Sequence, residues 1–142
     1  MRITDVLRHK GDRVVTIAPD ELVSTLLDLL AEHGVGALVV SSDGSTVEGI
    51  VSERDVVRNL QRDGAGILQV AVREIMTAEV RTVGPDYHID DLMRTMTEHR
   101  IRHVPVLVDD RLVGIVSIGD VVKNRIDELQ TERDQLTAYI TG

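Results

Sequence analysis

The chain repeats itself, and this repeat restricts its fold more than any other feature of the sequence. Residues 49–59 read GIVSERDVVRN, and residues 114–124 read GIVSIGDVVKN, a shift of 65. Upstream of residue 49 the shift is 66, which aligns Thr16 with Thr82. Self-similarity of this kind indicates two copies of one structural unit. Because 142 residues are too few for two large independent domains, we expect the copies to form one folded body.

Each copy has the same predicted order of elements. A short β-rich run, 13–17 or 79–83, ends at a Pro-Asp turn in which the aspartate suits the start of a helix. Apolar residues then recur at helical spacing, and two further β-rich runs lead into another helix. The sequence therefore predicts an α/β (α+β) fold of two β-α-β-β-α repeats. Neither repeat can bury its helices and a three-stranded sheet alone, so we expect them to pack face to face about a pseudo-two-fold axis.

Turn-forming residues and changes of pattern place the boundaries between these units. We assign residues 1–62 to the first repeat and residues 72–124 to the second. The segment 63–71 contains two glycines and is the predicted linker. Residues 125–142 form a predicted C-terminal amphipathic helix.

The predicted C-terminal helix carries a row of apolar residues along one face, here called the seam, which begins in the preceding helix of the second repeat. Its members recur at alternating four- and three-residue steps: Val122, Ile126, Leu129, Leu136 and Ile140. Arg133 occupies the expected position between Leu129 and Leu136 and interrupts the seam. Two interpretations stay open at this point. The helix folds back onto its own module, or it pairs with a second subunit to give a homodimer.

Charge and composition argue against several classes of function. The net charge of −8 repels phosphate backbones, so we expect no direct nucleic-acid binding. No run approaches the roughly 20 apolar residues that span a bilayer, and residues 1–12 lack an apolar signal core. We therefore expect a cytoplasmic protein without a membrane segment. There is no cysteine and no recognisable catalytic set, so we predict that the chain is not an enzyme.

The repeated Ser-x-x-Asp motif has two possible interpretations. As structure, a serine at a strand end followed by an acid three residues later is a capping box, which satisfies free amides at the start of a helix. As function, the same turn gathers amides, a hydroxyl and a carboxylate. The helix start and serine suit a phosphate, while the aspartate accepts hydrogen bonds from two vicinal hydroxyls of a ribose.

These motifs resemble a known family. The paired GIVSERD and GIVSIGD, the stretch HRIRHVPVLV and the Thr-x-x-Pro-Asp starts are similar to the cystathionine β-synthase (CBS) domain, here as a tandem pair or Bateman module. The resemblance implies that adenosine-containing ligands bind in the cleft between the repeats. AMP, ADP or ATP is expected first, with NAD or S-adenosylmethionine as further members of the class. It also implies a regulatory role, such as energy sensing, exerted on a separate effector protein.

The family's motif assigns residues to two pockets. The first pocket takes Ser52 and Asp55 from the repeated turn, with Thr82 and Gly84 near the base. The resemblance places the cationic residues Arg102 and His103 towards phosphates, and Arg54 lies inside the motif. The second pocket takes the equivalent set: Ser117, Asp120, Thr16 and Ala18.

The two pockets are not equivalent. Gly36 and Ala37 stand in the first repeat where the second has Arg102 and His103. We therefore expect the Asp55 pocket to bind a phosphorylated ligand more tightly. The rival reading is an adaptor or dimerisation module that binds no ligand, in which both motifs only cap helices.

His99 and His103 raise the question of a metal site. Histidines four apart on a helix can bind a metal together. The sequence HVPV reads as a strand, however, which breaks the helical spacing before His103. We predict no metal site and no required cofactor.

Overall fold

The computed structural model describes residues 1–11 and 14–141. Within them lie the helices α1 (Ile3–Lys10), α2 (Val23–His33), α3 (Glu53–Asp63), α4 (Ile89–His99) and α5 (Ile118–Thr141). The strands are β1 (Thr16–Ile17), β2 (Ala37–Val40), β3 (Gly49–Ser52), β4 (His103–Val108) and β5 (Arg111–Ser117). Two short 3₁₀ helices, Ala65–Gln69 and Val72–Glu74, connect the halves. None of the helices in this part of the chain combines the length and apolar character that crossing a membrane requires.

The strands form one small sheet in each repeat. In the first repeat β1 pairs in parallel with β2, and β2 pairs antiparallel with β3. In the second repeat β4 and β5 form an antiparallel hairpin with a register shift between Val106 and Leu107. Helices follow the strands in the predicted order, so the α+β fold of two related halves is confirmed.

The first strand predicted for the second repeat is reduced to one bridge. Val83 donates its amide to the carbonyl of Pro105, 3.1 Å away, and its own carbonyl accepts from Leu107 at 2.9 Å. The next parallel pair would need an N–H from residue 105, which proline lacks. Val39 is the equivalent of Pro105 in the first repeat, and there the pairing extends over two residues. The predicted strand over 79–83 was therefore wrong.

The Pro-Asp turns do not cap the helices that follow them, contrary to our prediction. Helices α2 and α4 begin after Leu22 and His88, neither of which supplies a side-chain cap. Leu22 instead forms an antiparallel bridge with Ala71, and His88 forms the equivalent bridge with Arg2. Pairing with a distant segment thus fixes the start of each helix.

The hydrophobic core consists of two clusters that exchange segments. The first contains the apolar faces of α2, β2 and β3 together with Val72 and Ile75, which stand at the start of the second repeat. The second contains the apolar faces of α4, β4 and β5 together with Ile3 and Val6 of α1. The segment that begins each repeat therefore packs on the other repeat. Since α1 was not predicted as an element, the sequence analysis did not anticipate this exchange.

The repeated glycines explain how closely the exchanged segments approach. A Cβ atom at Gly49 would lie 2.6 Å from the Met76 sulfur and 2.9 Å from the carbonyl oxygen of Thr77. A Cβ atom at Gly114 would lie 2.6 Å from a methyl group of Leu7 in α1. Glycine leaves room for the segment that crosses over each β-strand.

Helix α5 runs without a break through the predicted boundary at residues 124 and 125. Only its first turns contact the core, through the buried residues Val121 and Asn124. All five members of the predicted seam are exposed in the single chain, from 44% at Val122 to 80% at Ile140. The helix does not fold its seam back onto the described residues of its own module.

Candidate functional site

The two Ser-x-x-Asp turns have nearly the same geometry. Oδ2 of Asp55 accepts hydrogen bonds from the Ser52 amide at 2.8 Å and from the Ser52 hydroxyl at 3.1 Å. In return, the Asp55 amide donates to the Ser52 hydroxyl oxygen at 3.3 Å. The second turn repeats this exchange between Ser117 and Asp120 at 2.9 and 3.1 Å. Both turns are therefore capping boxes.

The asparagine that closes each eleven-residue stretch also has a structural role. The amide side chain of Asn59 donates to the backbone carbonyl of Asp55 at 2.7 Å, and Asn124 does the same for Asp120 at 2.7 Å. Each part of the repeated sequence thus has a structural role. The glycine lies under a crossing segment, the serine and aspartate cap the start of the helix, and the asparagine forms a hydrogen bond within its first turns. At the Asp55 turn, Oδ1 accepts no hydrogen bond from the described residues and remains available to a ligand.

A cleft of about 670 Å³ opens beside the Asp55 turn, between the two repeats. Five of the predicted site residues line it: Ser52, Arg54, Asp55, Arg102 and His103. Three large apolar residues also line it, Ile50, Val80 and Ile101. The cleft therefore combines an apolar surface, a carboxylate and cationic groups in one space.

Arginines are concentrated in this cleft. Arg54 and Arg102 are joined there by three arginines that the sequence analysis missed, Arg58, Arg81 and Arg100. None of the five forms an ion pair with a carboxylate within residues 1–11 and 14–141. Against them stand the three carboxylates of Glu53, Asp55 and Glu79, so the lining has an excess of two positive charges (5 − 3). In a chain of net charge −8, this is a local anion-attracting surface.

Arg100 occupies an unfavourable backbone conformation. It ends α4 with φ 54° and ψ 41°, in the left-handed region that costs a non-glycine residue about 1–2 kcal/mol. Its equivalent in the first repeat is Gly34, which ends α2 with φ 62° and ψ 38°. The 66-residue alignment of Arg100 with a glycine was a signal from which this cleft residue could have been found.

His103 lies where the two repeats meet. Burial lowers the pKa of its imidazole below the ordinary value, and the Lys10 ammonium acts in the same direction, against the opposing effects of Glu53 and Asp120. The ring is therefore neutral near pH 7, with one N–H donor and one acceptor nitrogen, so His103 is not the cationic residue that the sequence analysis expected. A Cβ atom at Gly36 would lie 3.5 Å from the His103 ring and 3.3 Å from Oε1 of Glu53.

The second predicted pocket is arranged differently around Asp120. Nζ of Lys10 lies 2.7 Å from Oδ2 of Asp120 and donates a second hydrogen bond to the carbonyl of Ile115 at 2.8 Å. Burial alone would raise the pKa of Asp120, but the Lys10 ammonium and the Ser117 amide outweigh it and lower the pKa. The sequence analysis missed Lys10, since nothing in the local pattern links residue 10 to residue 120.

The remaining predicted residues lie outside the lining of the cleft. Thr82 and Gly84 are exposed on the chain that continues from Arg81, which does line it. Thr16 and Ala18 are partly buried at β1 and just after it, in the first repeat's sheet region. Their predicted contacts with a base stay predictions.

A family model for the CBS domain matches the chain twice, over residues 3–62 and 72–127. The chain belongs to the CBS-domain family. A CBS domain-containing protein of Arabidopsis thaliana, CBSX3, named as mitochondrial, is 37% identical over 99% of this chain and 72% of its own length. The crystal structure of the CBS-domain protein ATU1752 from Agrobacterium tumefaciens has a TM-score of 0.85 at 44% identity, covering 88% of this chain and 99% of that one.

A more distant CBS pair carries ligands. The pair of protein MJ0100, in complex with 5′-methylthioadenosine and S-adenosylmethionine, has a TM-score of 0.77 at 24% identity, over 87% of this chain and 98% of that one. At this identity the likeness concerns the fold alone. As to metals, no group of three or more His, Asp or Glu residues able to hold an ion occurs in the described part of our CBS chain.

Proposed function

We propose that the chain is a regulatory CBS module that binds an adenine nucleotide of the AMP, ADP or ATP type in the Asp55 cleft. The observation that carries the proposal is the convergence of five arginines, without carboxylate partners in the described residues, on a cleft that also holds Asp55. Arginine suits phosphate because its planar guanidinium donates several hydrogen bonds in a fixed geometry.

The three kinds of surface in the cleft match the three parts of a nucleotide. Ile50, Val80 and Ile101 offer an apolar wall to the purine ring. Oδ1 of Asp55, unused within the described residues, suits the ribose hydroxyls, while Oδ2 is held by Ser52. The arginines suit the phosphates. S-Adenosylmethionine fits less well, since its positively charged sulfonium would enter a lining with an excess of positive charge.

The relative MJ0100 supports the adenosine part of this proposal. Both ligands named for its CBS pair contain an adenosine unit, and its fold is the same as that of this chain. The proposal that the present chain takes phosphorylated members of the class rests on its own arginines, not on that relative.

A regulatory role requires that ligand binding change a surface that a partner can contact. We propose that the nucleotide favours one packing of the two repeats, which a separate effector protein recognises, and that the module acts as a homodimer through α5. A ligand shifts such an equilibrium only by its difference in affinity for the two arrangements. The expected setting is the cytoplasm, where an AMP-to-ATP ratio can be sensed.

An adaptor module that binds no ligand is the second candidate. The observation that favours it is that each Ser-x-x-Asp turn is fully explained as a capping box. The exposed seam of α5 would then be the functional surface.

Thermal unfolding with AMP, ADP, ATP, NAD and S-adenosylmethionine separates the two candidates. A ligand at about 100 times its dissociation constant stabilises the native state by about 2.7 kcal/mol, a shift of several degrees in Tm. We expect a phosphorylated adenine nucleotide to raise the Tm of the wild type, and Asp55→Ala to abolish that rise.

Asp120→Ala is the matched control, because it removes the equivalent carboxylate from the equivalent capping box. Each variant should lose about 0.5–2 kcal/mol of stability through its cap, but only Asp55→Ala should lose the ligand effect. If no ligand raises the Tm of the wild type, and both variants only have a lower Tm, the nucleotide proposal is wrong and the adaptor hypothesis is favoured.

A further inference from the structure

Lys10 holds the second site of the module in a way that has no counterpart at the first. Its ammonium group bridges Oδ2 of Asp120 and the carbonyl of Ile115, at 2.7 and 2.8 Å. Asp120 belongs to the turn that corresponds to the Asp55 turn of the first site, and Ile115 belongs to strand β5, which leads into it. Lys10 and Asp120 are each about a quarter to a third exposed, so the pair is partly shielded from water.

The equivalent place in the first site is filled by backbone instead. The carbonyl of Ile50, the counterpart of Ile115, accepts a hydrogen bond from the Thr77 amide at 2.9 Å. Met76 lies over Gly49 as Leu7 lies over Gly114, so Met76 is the counterpart of Leu7, and Lys10, three residues further on, corresponds to Glu79. Glutamate has no positive charge to offer a carboxylate, and Asp55 forms no ion pair within the described residues, so the first site keeps its aspartate free of an internal cation.

The second site has also lost most of the arginines that surround the first. Alignment of the repeats shows the replacements for Arg54, Arg81, Arg100 and Arg102, which are Gly119, Val15, Gly34 and Gly36. Only Arg58 has a cationic counterpart, Lys123. A nucleotide at Asp120 would therefore have to displace an ammonium group from the carboxylate and would gain few phosphate contacts in return.

We propose that Lys10 is a built-in occupant of the second site. Its ammonium takes the carboxylate that would otherwise bind ribose hydroxyls, so each chain binds one nucleotide, at the Asp55 cleft. This inference rests on the proposed function, because it takes the second turn as the structural equivalent of a nucleotide site. It assigns to α1, which packs on the second repeat, the role of closing that site.

Calorimetric titration with AMP and with adenosine tests the proposal on the full chain. Adenosine probes the ribose and base contacts without requiring phosphate donors. The wild type should bind one ligand per chain, a site lost in Asp55→Ala and kept in Asp120→Ala. Lys10→Met retains the aliphatic stem of the side chain without its charge and should bind two ligands per chain. The added site should disappear in Lys10→Met combined with Asp120→Ala.

Arg8→Met is the matched control, because Arg8 is an exposed cation of the same helix without an ion-pair partner in the described residues. It should bind one ligand, like the wild type. If the wild type and Lys10→Met each bind one ligand per chain, the inference about Lys10 is wrong and the proposed function still stands. A wild type that already binds two would overturn the inference as well.

The remaining outcomes separate the two proposals. The wild type could bind no ligand while Lys10→Met binds one at a site that requires Asp120. That result would support the role of Lys10 as an occupant and contradict nucleotide binding at Asp55. No binding by either protein would contradict both.

Discussion

Single positions that differ between the two repeats give the two candidate sites different charges. Arg100 and Gly34 end equivalent helices with nearly the same left-handed backbone angles. Glycine adopts this conformation without steric cost, whereas arginine does not. The side chain at residue 100 therefore stands in the cleft at the expense of backbone stability, as strained residues at functional sites often do.

Replacing Arg100 by glycine should separate stability from binding. We expect Arg100→Gly to raise the free energy of unfolding by about 1 kcal/mol, because the left-handed strain is relieved. The same change should weaken nucleotide binding, because one phosphate donor is lost from the cleft. Chemical denaturation and calorimetric titration measure the two effects.

Arg100→Ala is the control for this pair of effects. It removes the guanidinium but keeps a Cβ atom at positive φ, so binding should weaken without any gain in stability. A loss of stability in Arg100→Gly would show that the arginine side chain contributes more to the fold than its backbone strain removes.

Among the elements, α5 is the one whose apolar face finds no partner in the single chain. Its seam residues lie at heptad spacing, and the outer members Leu136 and Ile140 are 62% and 80% exposed. Heptad spacing suits pairing with another helix of the same pattern. Arg133 sits inside the seam, where it makes only an exposed ion pair with Asp134 at 3.4 Å, a contact worth little to stability.

Completing the seam should strengthen self-association. We expect Arg133→Leu to tighten the dimer at least tenfold, because a newly buried leucine contributes about 1.5–3 kcal/mol. Leu129→Lys should weaken it. Sedimentation equilibrium over a range of concentrations gives both dissociation constants.

Gln135→Leu is the matched control, since it adds the same side chain to an exposed position of α5 on the face away from the seam. If it tightens association as much as Arg133→Leu, general surface hydrophobicity and not the seam drives pairing. A wild type that stays monomeric at every concentration, unchanged by Arg133→Leu, would contradict the proposed homodimer.

Elements were predictable from sequence where their cause is local. The periodic apolar residues gave α2 and α4, and the repeated serine and aspartate gave the start of α3. The strand at 79–83 failed because its pairing depends on an N–H that Pro105, on another strand, does not have. The predicted starts of α2 and α4 were wrong for a similar reason, since bridges from Leu22 and His88 to distant segments fix where these helices begin.

The candidate site divides in the same way. Arg54, Arg102 and His103 were found because they lie in or near a recognisable motif, and the structure brings them to the cleft. Arg58 and Arg81 carry no local signal and reach the cleft through the packing of the repeats. The Lys10 contact depends on the placement of α1 on the second repeat, which the pattern of residues 3–10 does not specify.

At the scale of the whole molecule, the exchange of segments makes the two halves depend on each other. Ile3 of α1 is fully buried in the cluster formed by the second repeat. The backbone joins the same two regions, since the Ile3 amide donates to the carbonyl of Tyr87 at 3.0 Å. The N-terminal helix is thus part of the second core, although the family model counts it with the first repeat.

Truncating Ile3 should destabilise the distant half of the sequence. We expect Ile3→Ala to cost about 2–5 kcal/mol, as for a buried large-to-small substitution. Hydrogen exchange should accelerate more in β4 and β5 than in β2. Val57→Ala, on an exposed side chain of α3 (63% exposed), is the control and should change neither. Faster exchange confined to the first repeat's sheet would contradict the observed packing.

The exchange also sets the order in which the molecule can be completed as it is synthesised. Helix α1 leaves the ribosome before the other described elements, but its partners extend to Val121, near the end of the second repeat. At a synthesis rate of about 5–20 residues per second, α1 waits on the order of ten seconds with Ile3 and Val6 exposed. The first repeat's cluster closes earlier, when Val72 and Ile75 emerge. A nascent chain therefore carries the exposed apolar face of α1 until the residues up to Val121 have been synthesised, and chaperones that bind short apolar segments are suited to protect it.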